Sequence, residues 1–285
     1  MLPDRIAQLE VSIAGQTAGQ LLRRSVYEFR YMDPRPDQPS VALLMPASPA
    51  YPGLAANEYL CLKAAQRAGI ATPGFELSDD GQLLLLDRFD LVETAPGHLE
   101  RLGFEDIAAL AGLRVRDVLS DRKYQGSYQR VAELLKQLQL PRESLRRFFE
   151  QVAFTVMVRN GDGHLKNFGV LYRHAGDSWL APMFDVVTTS IYRYARWSGG
   201  PELEDRTLAL KLFAGRRQTR AYPTTDERLT FGRKVCEVAR PAEVLQRIAA
   251  AMGEVLAEAQ RDPRIPADLL AKMGPVWADG RLHAR

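Results

Sequence analysis

The chain has 285 residues, and 46% hydrophobic with 26% charged content suits a globular protein with a sizeable core. Its 38 basic and 35 acidic residues leave a formal charge of +3, too little to drive direct nucleic-acid binding by counterion release. No apolar run nears the roughly 20 residues that span a bilayer, and Cys61 and Cys236 do not make a disulfide framework.

The opening residues, Met1 to Arg5, lack the charged-then-apolar form of a signal peptide, so a cytoplasmic, membrane-free protein is expected. Residues 9–31 alternate apolar and polar positions around Gly15 and Gly19, which predicts short twisted strands joined by turns. A proline-rich loop covers 33–39. Val41 to Met45 is an apolar run suited to a buried strand, and Pro46, Pro49 and Pro52-Gly53 then stop regular structure. Asn57 to Ala68 predicts a helix that Gly69 closes. Leu83 to Leu86 is a fully apolar strand leading into Asp87-Arg88-Phe89-Asp90.

After residue 100 the pattern turns mostly helical. The clearest helix is 142–159, where Leu145, Phe148, Phe149, Val152, Ala153, Val156 and Met157 keep one apolar face. A hairpin follows at 168–172 and 179–181, and further helices are expected at about 224–238, 241–259 and 266–272. The fold class is therefore α+β. A bilobed arrangement is expected, with a small β-rich lobe over 1–90 and a larger, mainly helical lobe over 91–285. A cleft between lobes suits a nucleotide.

The chemistry concentrates in Asn160-Gly161-Asp162-Gly163-His164-Leu165-Lys166-Asn167 and in Asp185 of Pro182-Met183-Phe184-Asp185. Directly after a buried helix, Asp162 can orient the proton of an attacking hydroxyl. Asn167 and Asp185 supply hard oxygen ligands for Mg²⁺. Lys166 can reach a γ-phosphate or the transition state. His164 fits a structural role, tying the loop to the Asp185 segment. No second His or Cys stands at zinc-ligand spacing. Singly these residues also read as a turn aspartate, a hairpin asparagine and a helix-capping aspartate.

Together, Asp-x-His-x-Lys-Asn followed by two short strands and Pro-x-x-Asp resembles the C-terminal lobe of HipA-family serine/threonine kinases, toxins of bacterial toxin–antitoxin pairs. The resemblance covers roughly residues 54–260 and implies a protein-kinase-like fold using ATP and Mg²⁺. It makes Asp162 the catalytic aspartate and Asn167 and Asp185 the metal ligands. Asn57-Glu58-Tyr59-Leu60-Cys61-Leu62 is similar to the helix beside the nucleotide cleft, which puts Glu58 in the cofactor site. Asp87-Arg88-Phe89-Asp90 is similar to the hinge, whose backbone at Asp87 and Phe89 would meet adenine. Phe104-Glu105-Asp106, Lys123-Tyr124 and Leu210-Lys211-Leu212 match further segments. The implied partners are a protein substrate, which no residue here selects, and an antitoxin-like DNA-binding protein.

The front of the nucleotide site departs from this pattern. A glycine-rich loop and a strand lysine are needed over the phosphates, yet the first lysine is Lys63, within the predicted helix. Either Ser12 to Gln16 is a degenerate phosphate loop and Val41–Met45 the lysine strand without its lysine, or 11–31 resembles the small N-terminal subdomain of full-length HipA proteins. Arg23, Arg24 and Arg30 are the nearest substitutes for the lost charge. Two functions compete: a protein kinase, and a pseudokinase or interaction module that binds an antitoxin-like partner. A third reading, a plain mixed α/β protein, predicts that Asp162, Asn167 and Asp185 do not converge.

Overall fold

A computed structural model of the chain describes residues 8–13, 16–23, 27–31, 42–46, 51–95, 98–113, 121–195, 202–204 and 206–282. The proline-rich stretch 33–39, Gly15, Arg24, Val41 and Pro49 lie outside the described residues, as do the side chains of Ser12, Arg23 and Arg30. Strands β1 (Gln8–Ile13), β2 (Gln16–Arg23) and β3 (Tyr27–Tyr31) form the expected antiparallel meander, with Gly19 opposite both Val11 and Tyr31.

Strand β4 (Ala42–Pro46), helix α1 (Leu54–Arg67) and strands β5 (Phe75–Leu77) and β6 (Leu83–Asp87) come next. The sheet order is β4-β6-β5, which puts Pro46 on an edge strand where its missing N–H is tolerated. Leu43, Leu44 and Met45 pair with Leu86, Leu85 and Leu84. Helix α1 ends as the sequence predicts. Gly69 sits at φ 74°, its N–H bonds to Gln66 and the Ile70 N–H to Ala65, satisfying carbonyls that the helix leaves open.

A hairpin of β7 (Leu91–Ala95) and β8 (His98–Arg101) leads to β9 (Gly103–Asp106) and the short helix α2 (Ile107–Leu110). A 3₁₀ turn at Asp121–Tyr124 precedes α3 (Tyr128–Gln137) and the long α4 (Arg142–Met157). A second 3₁₀ turn, Leu165–Asn167, opens the hairpin of β10 (Gly169–His174) and β11 (Asp177–Leu180), with β9 pairing on the other side of β10. Strands β12 (Arg193–Ala195) and β13 (Glu202–Glu204) form a small antiparallel pair.

Helices α5 (Thr225–Thr230), α6 (Pro241–Ala259) and α7 (Ala267–Leu282) complete the chain. The region after residue 100 holds more strand than the periodicity suggests, because β9, β12 and β13 are three or four residues long and carry too little alternation. The helix expected over 224–238 breaks into α5 and a π turn at Phe231–Val235. There Gly232 packs so closely on Pro241 and Phe149 that a Cβ would stand 2.7 and 2.9 Å from them.

Helix α7 runs ten residues past the expected end, through Pro275. Its far end is held by packing: Trp277 is fully buried and its indole Nε1 donates to Thr188 Oγ1 at 2.8 Å. One hydrophobic core joins Ala55, Leu62, Leu84, Phe148, Val156, Ile248 and Trp277, so residue 90 is not a break in packing. Among the described residues, no helix is long and apolar enough to cross a membrane.

At Gly280 of α7 a Cβ would lie 2.0 Å from the carbonyl oxygen of Met157, the last residue of α4. Gly280→Ala must push two backbones apart, and a loss of about 1–3 kcal/mol is expected by denaturant unfolding.

Candidate active site

The loop that carries Asp162 starts from an unusual helix end. Arg159 follows α4 at φ 58°, its N–H bonds to Val156, and the Asn160 N–H bonds to Thr155. This is the closure seen at Gly69, made by an arginine in a conformation that side chains disfavour. Its guanidinium is held by Asp279 and lies 4.4 Å from the Tyr222 ring centroid. Thr189 Oγ1 donates to the Arg159 carbonyl at 3.1 Å and accepts from the Gly161 N–H at 2.6 Å. Asn160 Oδ1 accepts the Asp162 N–H at 3.0 Å, a turn that an asparagine side chain favours. Gly163 lies over Tyr128, whose hydroxyl donates to its carbonyl at 2.8 Å, and a Cβ there would stand 2.7 Å from Thr155 Cγ2.

Asp185 arrives on a segment braced from several sides. The Met183 N–H bonds to Ala71, and Gln151 of α4 donates to the Ala181 carbonyl at 2.9 Å. Beyond it, the fully buried Asn57 side chain of α1 pairs with Thr188 like a strand neighbour. Its Oδ1 accepts the Thr188 N–H at 2.9 Å, and its Nδ2 donates to the Thr188 carbonyl at 3.1 Å. Asp185 itself adopts φ 53°, a left-handed conformation that aspartate tolerates better than most residues.

The two segments meet at Asn167. Its Nδ2 donates to Asp185 Oδ2, while its Oδ1 accepts the His164 N–H at 2.8 Å and keeps a second lone pair. Asp162 and Asp185 line one cavity of about 720 Å³ with Tyr51, Tyr124, Thr189 and Arg220. The Tyr124 hydroxyl donates to Asp162 Oδ1 at 2.6 Å, which leaves Oδ2 for an incoming group. Asn167 and Asp185 thus touch, and Asp162 and Asp185 open on the same cavity.

Charge is crowded here. Burial pushes the Asp185 carboxyl above the usual range, and the Asp162 charge adds to it, against the Asn167 hydrogen bond and the Lys123 charge. Glu58 of α1 lies behind Asp185 with 1% exposure, and neither carboxyl oxygen has a hydrogen-bond partner among the described residues. Burial first, then the Asp185 charge, raises its pKa to about 8, and the nearby Asp185 and Val186 amides offset only part of this. Glu58 is absent from the cavity lining and faces the Asp185 segment. His164 is held below the usual imidazole range mainly by burial, so a neutral ring is favoured at pH 7.

His164 does not bridge to the Asp185 segment through its ring, contrary to expectation. Nδ1 is buried without a partner among the described residues, Nε2 stands 4.0 Å from Asp162 Oδ1, and the ring packs edge-on to Tyr124 at 5.3 Å. The loop needs no such bridge because Asn167 makes it. Lys166 points to the N-terminus of α2, where its ammonium pairs with Asp106 Oδ2. Asp87 ends β6, exposed, and the Phe89 ring packs at 5.5 Å on Phe104 and 5.1 Å on Phe184, next to Asp185.

The donor set suits a hard cation shared with phosphates. Asp185 offers a charged oxygen and Asn167 a neutral one, although the Asn167 atom that meets Asp185 is Nδ2 and its Oδ1 accepts the His164 N–H. Mg²⁺ characteristically takes one or two carboxylates with the rest of its shell from phosphates and water. Among the described residues no group of three or more His, Cys, Asp or Glu side chains could form an all-protein metal cage. Reasoning from sequence missed Tyr124, Thr189 and the Asn57–Thr188 pairing as parts of the site. Lys123-Tyr124 carried a signal only as a matched segment, and the other contacts join residues 28 and 131 positions apart.

The model of the HipA-like C-terminal domain matches residues 11–260. A Sinorhizobium fredii protein named "Putative kinase Y4dM" is 27% identical over 160 residues, covering 51% of this chain and 36% of its own length. A chain from the Shewanella oneidensis MR-1 toxin–antitoxin complex of HipA, HipB and operator DNA superposes with a TM-score of 0.66 at 16% identity, over 99% of this chain and 64% of that one. The Helicobacter pylori proinflammatory kinase CtkA gives 0.57 at 14% identity, over 85% and 86%. This chain thus spans about a third of the Sinorhizobium relative, and the two structures share its kinase-like α+β fold.

The buried Glu58 makes stability of the metal-free, nucleotide-free protein depend on pH. Between its ordinary value of 4.5 and about 8, the folded state holds a proton that the unfolded chain has released. Wild-type stability should therefore fall across that window, by up to about 1.4 kcal/mol per pH unit. Glu58→Gln removes this slope, so urea unfolding should show it gaining on the wild type between pH 5 and pH 8.

Proposed function

The chain belongs to the HipA-like C-terminal domain family, and on that premise we propose that it is a protein serine/threonine kinase using ATP and Mg²⁺. The observation that carries the reading is the contact of Asn167 with Asp185 on the cavity that also holds Asp162. A plain turn motif has no reason to gather a hydroxyl-orienting carboxylate with two cation ligands.

Asp162 Oδ2 accepts the proton of the acceptor hydroxyl while Tyr124 holds Oδ1. The hydroxyl oxygen forms its bond to the γ-phosphorus as the bond from that phosphorus to the bridging oxygen breaks, and ADP leaves with the electron pair. Asp185 and Asn167 would hold a Mg²⁺ ion, which would supply positive charge to the phosphates. Lys166 adds positive charge from its tether on Asp106, and neutral His164 supports the loop through its packing on Tyr124. The backbone of Asp87 and Phe89 meets adenine, and Glu58 acts on the nucleotide through Asp185. The hinge at 87–90 divides a lobe over 1–90 from one over 91–285.

The protein is cytoplasmic in this reading, as the toxin of a toxin–antitoxin pair. Its partner is an antitoxin-like DNA-binding protein, as HipB is present with operator DNA in the Shewanella complex. A second reading keeps the nucleotide-binding fold without efficient turnover. It is favoured by the lack of any lysine before Lys63, which itself pairs with Glu258, and by the aliphatic Leu43-Leu44-Met45 in β4.

Labelled ATP with Mg²⁺ should transfer phosphate to the protein itself or to a supplied acceptor, and Asp162→Asn should lower the rate about 100- to 10,000-fold. Nucleotide binding with no Asp162-dependent transfer favours the second reading. No nucleotide binding at all rejects both.

A further inference from the structure

The cations near the site whose partners are described are mostly committed. Lys166 pairs with Asp106, Lys63 with Glu258, and Arg88 with Asp90. Lys123 differs. It stands in the Asp121–Tyr124 turn, partly buried, and forms no ion pair among the described residues. Its ammonium lies 5.1 Å from the centroid of the Tyr124 ring. That ring carries the hydroxyl bonded to Asp162 and packs on His164. The guanidinium of Arg220 fixes the same turn by donating to the Tyr124 carbonyl at 2.7 Å.

We propose that Lys123 is the cation that meets the terminal phosphate of the bound nucleotide, replacing the positive charge that β4 does not supply. The inference rests on the kinase reading of the same site. Lys123 stands over the ring of the residue that holds Asp162, which puts its charge beside the Asp162 end of the cavity. Its field reaches both Asp185 and His164, lowering the pKa of each. A compact ammonium on a flexible stem suits a group whose position changes during transfer, and a phosphate oxygen is its natural partner. Asp162 and Asp185 add negative charge beside the phosphates, so a further cation there favours the triphosphate.

The effect is specific to the third phosphate, which separates it from general electrostatics. Dissociation constants for Mg·ATP and Mg·ADP would be measured by calorimetry for the wild type, Lys123→Met, Lys123→Arg and the exposed neighbour Arg122→Met. The wild type should favour ATP, and Lys123→Met should weaken ATP by at least about tenfold while leaving ADP unchanged. Lys123→Arg, which keeps the charge, and Arg122→Met should keep the preference. Equal weakening of both nucleotides, an unchanged ratio, or a wild type without preference for ATP overturns the role of Lys123 and leaves the kinase reading standing. A wild type that binds neither nucleotide overturns both together. If Lys123→Met does not fold, Lys123→Gln carries the same comparison.

Discussion

The site is organised by the confinement of acidic groups. Glu58 is buried beside Asp185, which itself opens on the cavity, and Asp162 adds its charge from the cavity side. Protonation relieves this inside, since Glu58 near neutral pH holds its proton, but Asp162 and Asp185 face a space that a cation can enter. The Asp162 loop and the Asp185 segment are braced so that the acids stay close. That bracing comes from side chains bonded to backbone: Asn57 on Thr188, Thr189 on Gly161 and Arg159, and Asn160 on Asp162.

These restraints come from the scaffold as a whole. Helix α1 brings Asn57 and Glu58 to the Asp185 segment, α4 supplies Gln151 beneath it, and α7 reaches Thr188 through the buried Trp277. Buried polar groups left without these partners would be expensive, at about 1–3 kcal/mol each, so the fold and the site stand or fall together. The core is also continuous across residue 90, joining Leu84 and Leu86 to Phe148 and Ile248.

Much of this was legible in the sequence where chemistry is local. Gly69 announced the end of α1 because glycine accepts the left-handed conformation freely. The same closure at Arg159 was invisible, since nothing in an arginine advertises it; a tertiary hold from Asp279 and Tyr222 does the work there. The run from Asn160 to Asn167 announced the site because its ligand-bearing residues are close in sequence. Glu58 read as a cofactor residue, whereas burial turned it toward Asp185. Tyr124 and Thr189 escaped notice because a hydroxyl that holds Asp162 or its loop looks like any other hydroxyl until the chain folds. The last helix was expected only to about residue 272, yet α7 runs through Pro275 to Leu282, with Trp277 buried beyond the proline.

The central claim is that Asn167 and Asp185 form half of a cation site completed by nucleotide phosphates. Manganese, as a paramagnetic substitute for Mg²⁺, tests this by electron paramagnetic resonance titration with and without ADP. The account predicts weak binding of Mn²⁺ to the protein alone, a ternary complex with the nucleotide, and loss of that complex in Asp185→Asn. Equal Mn²⁺ binding with and without nucleotide, or a ternary complex that survives Asp185→Asn, would contradict it.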